Sequence, residues 1–424
     1  MRTSKLKGLF TSLLVVTILF SASASTFAAT GRQMAEYAIA SLNAAAPTTM
    51  SRNVPTLYWS WFEVNFADET YPLTVDFVGS NFTCPQKIVY MFPGGGVNFR
   101  SSFLTPLDDN LAQYFRKSGY LVVGITPRED NVTAGTMPGV VAGWGMAKHK
   151  SDIRKIIGII QARLGLPYRV LGHSYGAAYA LDYASTYSSG LEKVIALDIY
   201  SFDPADIDRI FASDLTADAY QELIDSGSYG DASYADIKNL MLISLLLPYV
   251  DSGESREFLS LPGDFTFESM LYFSMIYSYC MPGIHTPLTG LPADWPLVQG
   301  YAAGWYTFDV NPWNDRYGLT QSSMCTLREA GLKVGSGIVP NALSRDFFEV
   351  NAYSGGYSIN WAGITKPVLW VNTGLGYGSN MYGATLIQAG GNPNVLVAVL
   401  PGYAHLDILA GRNADTDAWK WLIQ

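Results

Sequence analysis

The chain has 424 residues, 49% hydrophobic and 15% charged, with 27 Tyr, 20 Phe and 10 Trp. That composition excludes a disordered chain, and the length suffices for a large core, in one decorated domain or two. The formal net charge is −9, and setting aside Arg2, Lys5 and Lys7 of the N-terminal segment leaves 24 basic against 36 acidic residues, which argues against nucleic acid as a partner.

Residues 1–28 read as an export signal. Arg2, Lys5 and Lys7 form its basic region, residues 9–20 its apolar region, and residues 21–29 a small-residue stretch with cleavage expected after Ala24 or Ala28. The apolar run has 12 residues, short of the roughly 20 that span a bilayer. The protein is therefore expected to be secreted or extracytoplasmic, where a disulfide is permitted. Of Cys84, Cys280 and Cys325, the last two lie in one proposed insertion and are the favoured pair. Asn81 and Asn131 each open an Asn-x-Thr glycosylation pattern.

Strands are expected over residues 58–66, 73–77 and 87–92, the last running into Pro93-Gly94-Gly95-Gly96. A helix is expected over 106–116 and a strand over 120–125. Ile153, Ile156, Ile157, Ile160 and Leu164 follow a helical period over 151–164. His149, between Lys148 and Lys150, reads as a surface residue. A short strand at 168–171 enters Gly172-His173-Ser174-Tyr175-Gly176, followed by a small-residue helix at 177–184 and a strand at 193–197. This alternation predicts an α/β fold: a mostly parallel central sheet with helices on both faces.

The rhythm stops near Tyr200. Residues 201–364 read as a large, mainly helical cap insertion. Its apolar runs, 240–250 and 267–281, are expected chiefly to form the cap's own core and in part to line an apolar cleft. Alternation resumes with a strand at 367–371, a helix at 382–389, a strand at 394–400 and a final helix at 416–422. The expected division is a signal at 1–28, a core in two parts at 29–200 and 365–424, and the cap between them.

Residues 172–176 form the chain's only Gly-x-Ser-x-Gly. Strand, sharp turn and helix in that order are what a nucleophile elbow needs. With this elbow, the Gly run after an upstream strand and His405 before the last helix, the chain resembles the α/β-hydrolase superfamily, of secreted serine esterase or lipase type. The resemblance covers about residues 58–200 and 367–424. It implies Ser174 as nucleophile and His405 as general base. Of the other histidines, His173 sits on the elbow itself and lines the pocket rather than reaching the hydroxyl, and His285 lies in a Pro-rich loop.

The family's usual acid follows the strand at 367–371, yet no Asp or Glu occurs from 351 to 406. Asp407 is too close to His405 to fold back onto its ring. In pancreatic-type lipases the acid follows the strand just after the elbow helix, which favours Asp198, then Asp203. Neutral Asn372 is a further substitute. For the oxyanion the resemblance implies the Tyr175 N–H and one from Gly95 or Gly96, in a loop similar to the family's His-Gly-Gly-Gly with Pro in place of His.

No cofactor is called for, and neither metal-ligand spacing nor a phosphate loop is present in the sequence. The expected activity is exported hydrolysis of a small-molecule or lipid carboxylic ester, with transient contact at a lipid surface. The alternatives are a secreted peptidase or amidase of the same fold, and a catalytically silent binding protein on that scaffold.

Overall fold

Strands rich in β-branched and aromatic residues, as pleated geometry favours, build a nine-stranded sheet. The computed structural model describes residues 29–133, 136–259, 261–279 and 297–424. The expected signal, Cys280 with its pairing to Cys325, and His285 lie outside the described residues. In chain order the strands are β1 (Thr48–Pro55), β2 (Trp59–Phe66), β3 (Leu73–Ser80), β4 (Lys87–Phe92), β5 (Tyr120–Thr126), β6 (Tyr168–His173), β7 (Leu191–Leu197), β8 (Val368–Thr373) and β9 (Val395–Leu400). Their spatial order is β1-β2-β3-β5-β4-β6-β7-β8-β9. The first three run antiparallel to their neighbours, and β4 to β9 form a parallel block. Every residue of β3, β5 and β6 is buried, as expected of strands covered on both faces.

The helices of the first part are α1 (Gly31–Ala45), α2 (Phe99–Phe103), α3 (Leu111–Lys117), α4 (Met146–Leu164) and α5 (Tyr175–Ala184). α1, α4 and α5 cover one face, where Leu42, Ile156 and Leu181 join Phe62, Tyr90 and Val170. α2, α3 and the C-terminal turns cover the other, where Phe103, Phe115 and Trp419 join Val89, Leu171 and Ile195.

Three local readings change. α1 and β1 precede the first expected strand. α1 starts at a capping box, in which Thr30 Oγ1 accepts from Gln33 N and Gln33 Oε1 accepts from Thr30 N. The helix expected from residue 106 begins at Leu111, because Asn110 caps it by accepting from Gln113 N at 2.8 Å. α4 begins at Met146 rather than 151, which turns His149 inward onto the face of Asp152, Ile153 and Ile156. There its Nε2 meets Glu129 at 2.9 Å, its Nδ1 meets the Gly145 carbonyl at 2.8 Å, and its ring stacks on Tyr179. The flanking lysines suggested a surface position; helix phase decides otherwise.

Between β7 and β8 the described residues add no strand to the large sheet. They hold α6 (Ile207–Asp225), α7 (Ser233–Leu246), α8 (Phe267–Ile276), α9 (Met324–Leu332) and α10 (Asn341–Ala352), with short antiparallel pairs. α6 and α10 pack into the main core through Ala217, Leu343 and Phe347. α7, α8 and α9 build a separate cluster from Leu240, Met241, Leu271, Met275 and Leu327. The run expected to be cap core is split. Leu240 and Met241 are buried, while Leu245, Leu246 and Leu247 stand 53%, 67% and 50% exposed.

Both amide nitrogens of the glycosylation patterns are engaged: Asn81 Nδ2 donates to the Thr56 carbonyl and Asn131 Nδ2 to Thr74 Oγ1. Among the described residues no helix is long and apolar enough to cross a membrane.

Candidate active site

The carboxyl ends of parallel strands are where an open α/β sheet places ligands. Here β4 delivers Pro93 and the Gly run, β6 delivers Ser174, β7 delivers Asp198, β8 delivers Thr373, and the loop after β9 delivers His405. Ser174 holds φ 56° and ψ −130°, a strained turn between β6 and α5. The turn closes only over glycine. A Cβ on Gly172 would lie 1.9 Å from the Gly176 carbonyl oxygen, and one on Gly176 would lie 2.1 Å from that of Phe92.

His405 Nδ1 donates to Asp198 Oδ2 at 2.6 Å. Asp198 is fully buried, at φ 44°. Its Oδ1 accepts from Thr373 N at 2.7 Å and Tyr377 N at 3.4 Å. Burial pushes this carboxyl up, but the His405 hydrogen bond and charge, then the Thr373 N–H, outweigh it and hold the group below the ordinary carboxylate range. The loop after β8, which lacks an acid of its own, thus serves the acid of β7 with backbone donors. Gly376 permits this close approach, since a Cβ there would lie 2.4 Å from Asp198 Oδ2. In the sequence this loop reads as an empty acid position with neutral Asn372 as a substitute; its Thr-Gly-Leu-Gly run, residues 373–376, is the signal of a close approach.

The other carboxylates and the amide do not meet the ring. Asp203 is exposed and accepts from Ala205 N. Asn372 Oδ1 accepts from Ile199 N and Trp370 Nε1, and its Nδ2 donates to the Gly378 carbonyl. Asp407 is buried and turned toward Ala303 N, Ala404 N and Ser322 Oγ.

His173 lies behind the base. Its Nε2 donates to the His405 carbonyl at 2.9 Å, and the two rings sit 4.3 Å apart. Burial first, then the His405 charge, pushes its pKa from 6.5 down to about 3. A proton that only the unfolded chain accepts favours unfolding. This residue's contribution to stability is therefore intact above pH 6.5 and falls as pH drops toward 3, by about 1.4 kcal/mol per pH unit. Denaturant titrations at pH 7 and pH 5 are expected to show a shallower loss for His173→Asn, whose side-chain N–H can still reach the carbonyl. An unchanged slope would refute the neutral buried ring.

Ser174, His173 and His405 open onto one cleft of ≈ 90 Å³. Met241, Met275, Leu327, Val334, Leu406 and Leu409 supply its apolar walls. Lys238 is the one charged side chain among the described lining residues, and its ammonium is held by the Val334 carbonyl. Tyr175 opens α5, at the helix end whose dipole favours negative charge. Gly94 and Gly95 line the cleft. Gly96, at φ 70°, is set against the Tyr234 ring instead. Among the described residues no group of three or more His, Cys, Asp or Glu could hold a metal.

No family model and no curated protein matches the sequence. Solved structures do match in fold. A candidate lipase from Sulfolobus solfataricus aligns with a TM-score of 0.57 at 16% identity, over 89% of this chain and 97% of its own. A carboxyl esterase from Bacillus coagulans aligns with a TM-score of 0.45 at 15% identity, over 87% and 97%. A bromoperoxidase from Bacillus anthracis aligns with a TM-score of 0.44 at 11% identity, over 88% and 98%. At such identities the likeness speaks of fold and not of activity. Together with the strand order and the elbow between β6 and α5, the first of these likenesses identifies the chain as an α/β-hydrolase-fold protein.

Proposed function

We propose that the protein is an exported serine hydrolase that cleaves carboxylic esters of apolar acyl groups. The observation that carries this reading is the 2.6 Å contact of Asp198 with His405 beside Ser174, at the floor of an apolar cleft. Ser174 Oγ attacks the acyl carbon while His405 Nε2 takes its proton. Asp198 holds the ring with hydrogen on Nδ1, so that Nε2 can accept, and stabilises the imidazolium. The Tyr175 N–H and one from the Gly94–Gly96 loop receive the oxyanion, with Gly95 the better placed of the two expected donors because it lines the cleft. Collapse expels the alcohol, which takes the proton from His405. Water, losing a proton to His405, then attacks the acyl-enzyme and releases the carboxylic acid with Ser174 restored.

Two features favour esters over peptides. No acidic side chain lines the described part of the cleft to receive a free amino terminus. α7 presents Ile237 and Met241 to the cleft and Leu242, Leu245 and Leu246 outward, a face suited to brief contact with lipid.

The test is labelling by a fluorophosphonate, followed by p-nitrophenyl esters of graded chain length beside aminoacyl anilides. Each methylene that enters the cleft is worth about 0.8 kcal/mol, so kcat/KM is expected to rise roughly fourfold per carbon until the cleft is full. Folded protein that takes no label sinks the hydrolase reading. Anilides turned over faster than esters would replace it with a peptidase or amidase.

A further inference from the structure

The loop that carries His405 is not held by the sheet alone. His405 N donates to the Gly300 carbonyl at 2.7 Å and Leu406 N to the Tyr301 carbonyl at 2.8 Å. Both acceptors belong to the cap, on a stretch reached only after α8. A second cap stretch comes in from the other side: Arg412 N donates to the Gln321 carbonyl, and Gln321 Nε2 to that of Gly402.

One side chain ties the three pieces together. Asp407 Oδ2 accepts from Ala303 N at 2.8 Å and from Ala404 N at 2.9 Å, and its Oδ1 accepts from Ser322 Oγ at 2.5 Å. Asp407 and Ser322 are both fully buried. A carboxylate is expensive to bury, and burial pushes this one up to about 6 despite four donors, the Ser322 hydroxyl and the N–H groups of Ala303, Ala404 and Ser322. Loop shape alone does not call for such a group. A carboxylate with two oxygens aimed at two cap segments and its own loop does the work of a joint.

We propose that Asp407 is a positioning residue, whose carboxylate locks cap residues 300–303 and Ser322 onto the His405 loop, so that the cap itself sets the place of the base. The inference rests on the reading of His405 as general base. It makes seating of the cap and alignment of the base one event: a cap lifted from this loop releases the backbone on either side of His405. Asp407 touches neither the ring nor the cleft, so it acts only through that backbone.

The experiment compares Asp407→Ala, Asp407→Asn and Ser322→Ala in the full chain. Asn keeps the shape. Its Oδ1 can accept from Ala303 N and Ala404 N and its Nδ2 can donate to Ser322 Oγ, but that NH₂ cannot accept from Ser322 N, so Asn keeps part of the joint. Asp407→Ala is expected to lower kcat on a soluble ester roughly 100-fold, the scale of a 1 Å misplacement of a catalytic group, with a much smaller change in KM. The rate of fluorophosphonate labelling should fall in parallel. The downfield proton resonance of the His405 Nδ1–H···Asp198 hydrogen bond should broaden or vanish. Asp407→Asn is expected to recover part of both kcat and the resonance. Folded Asp407→Ala with wild-type kcat and an unshifted resonance overturns the proposal, as does Asp407→Asn as impaired as Ala. If Asp407→Ala does not fold, Ser322→Ala decides, since it removes one bond of the joint: a several-fold loss of kcat is expected, and none refutes. Failure of the parent reading looks different, because wild-type protein would then take no label at all.

Discussion

Ser174→Ala is expected to lose ester hydrolysis and fluorophosphonate labelling together, with kcat lower by roughly 10⁶-fold. The size follows from what the residue does. Ser101, Ser102 and Thr105 also line the cleft, but Ser174 is the one delivered by the strained elbow beside His405. His405 without it can at best activate water, which would have to reach the acyl carbon from a position no backbone turn prepares. The substitution should leave the fold intact, because the strain of the elbow lies in the backbone of Ser174 and in its flanking glycines. Circular dichroism and a thermal melt check the fold; active-site titration checks the loss. Equal labelling of wild type and variant would move the nucleophile elsewhere.

Asp198→Asn is expected to cost about 10⁴-fold in kcat, while Asp203→Asn remains near wild type. The amide oxygen would keep the Thr373 N–H, the strongest backbone donor to Asp198 at 2.7 Å. Its NH₂ would then face His405 Nδ1 and force that nitrogen to accept. The ring proton moves to Nε2, the atom that must take the serine proton, and the base is lost without any change of shape. Measured kcat and the labelling rate should fall together. A larger loss in Asp203→Asn than in Asp198→Asn would require another acid, although Asp203 stands exposed and occupied with Ala205.

Much of the framework was legible because its signals are local. β4 is found at residues 87–92 and the helix after β8 at Tyr382–Ala389, both as expected. Gly172 and Gly176 flag the elbow because close backbone packing tolerates no side chain at either place. The family resemblance points to His405 among the four histidines and, through the arrangement of pancreatic-type lipases, to Asp198, whose carboxylate meets the His405 ring. What stayed hidden depends on contacts far apart in sequence. His149 is buried by a partner from another turn of chain, Glu129, and by a helix phase that begins five residues early. Asp407 reads as a stray carboxylate beside the base until residues 303 and 322 are brought to it. The acid-free loop after β8 reads as a gap, and only its approach to β7 shows it to be a cradle. The outward leucines of α7 look like core in a sequence because an apolar run does not say which way it faces.

The placement of the acid on β7 has a consequence for biosynthesis. Ser174 and Asp198 belong to one continuous strand–helix–strand unit, and they leave the ribosome almost together. Their third member, His405, comes 207 positions after Asp198, with the whole cap in between. A nascent chain therefore carries Ser174 and Asp198 long before it carries a base, and the backbone donors that cradle the acid, Thr373 N and Tyr377 N, arrive late as well. Until its last residues emerge and the cap has settled, such a chain has a serine that nothing activates. On the proposed reading of an exported serine hydrolase, this order of synthesis keeps the chain from attacking esters of the cell that produces it.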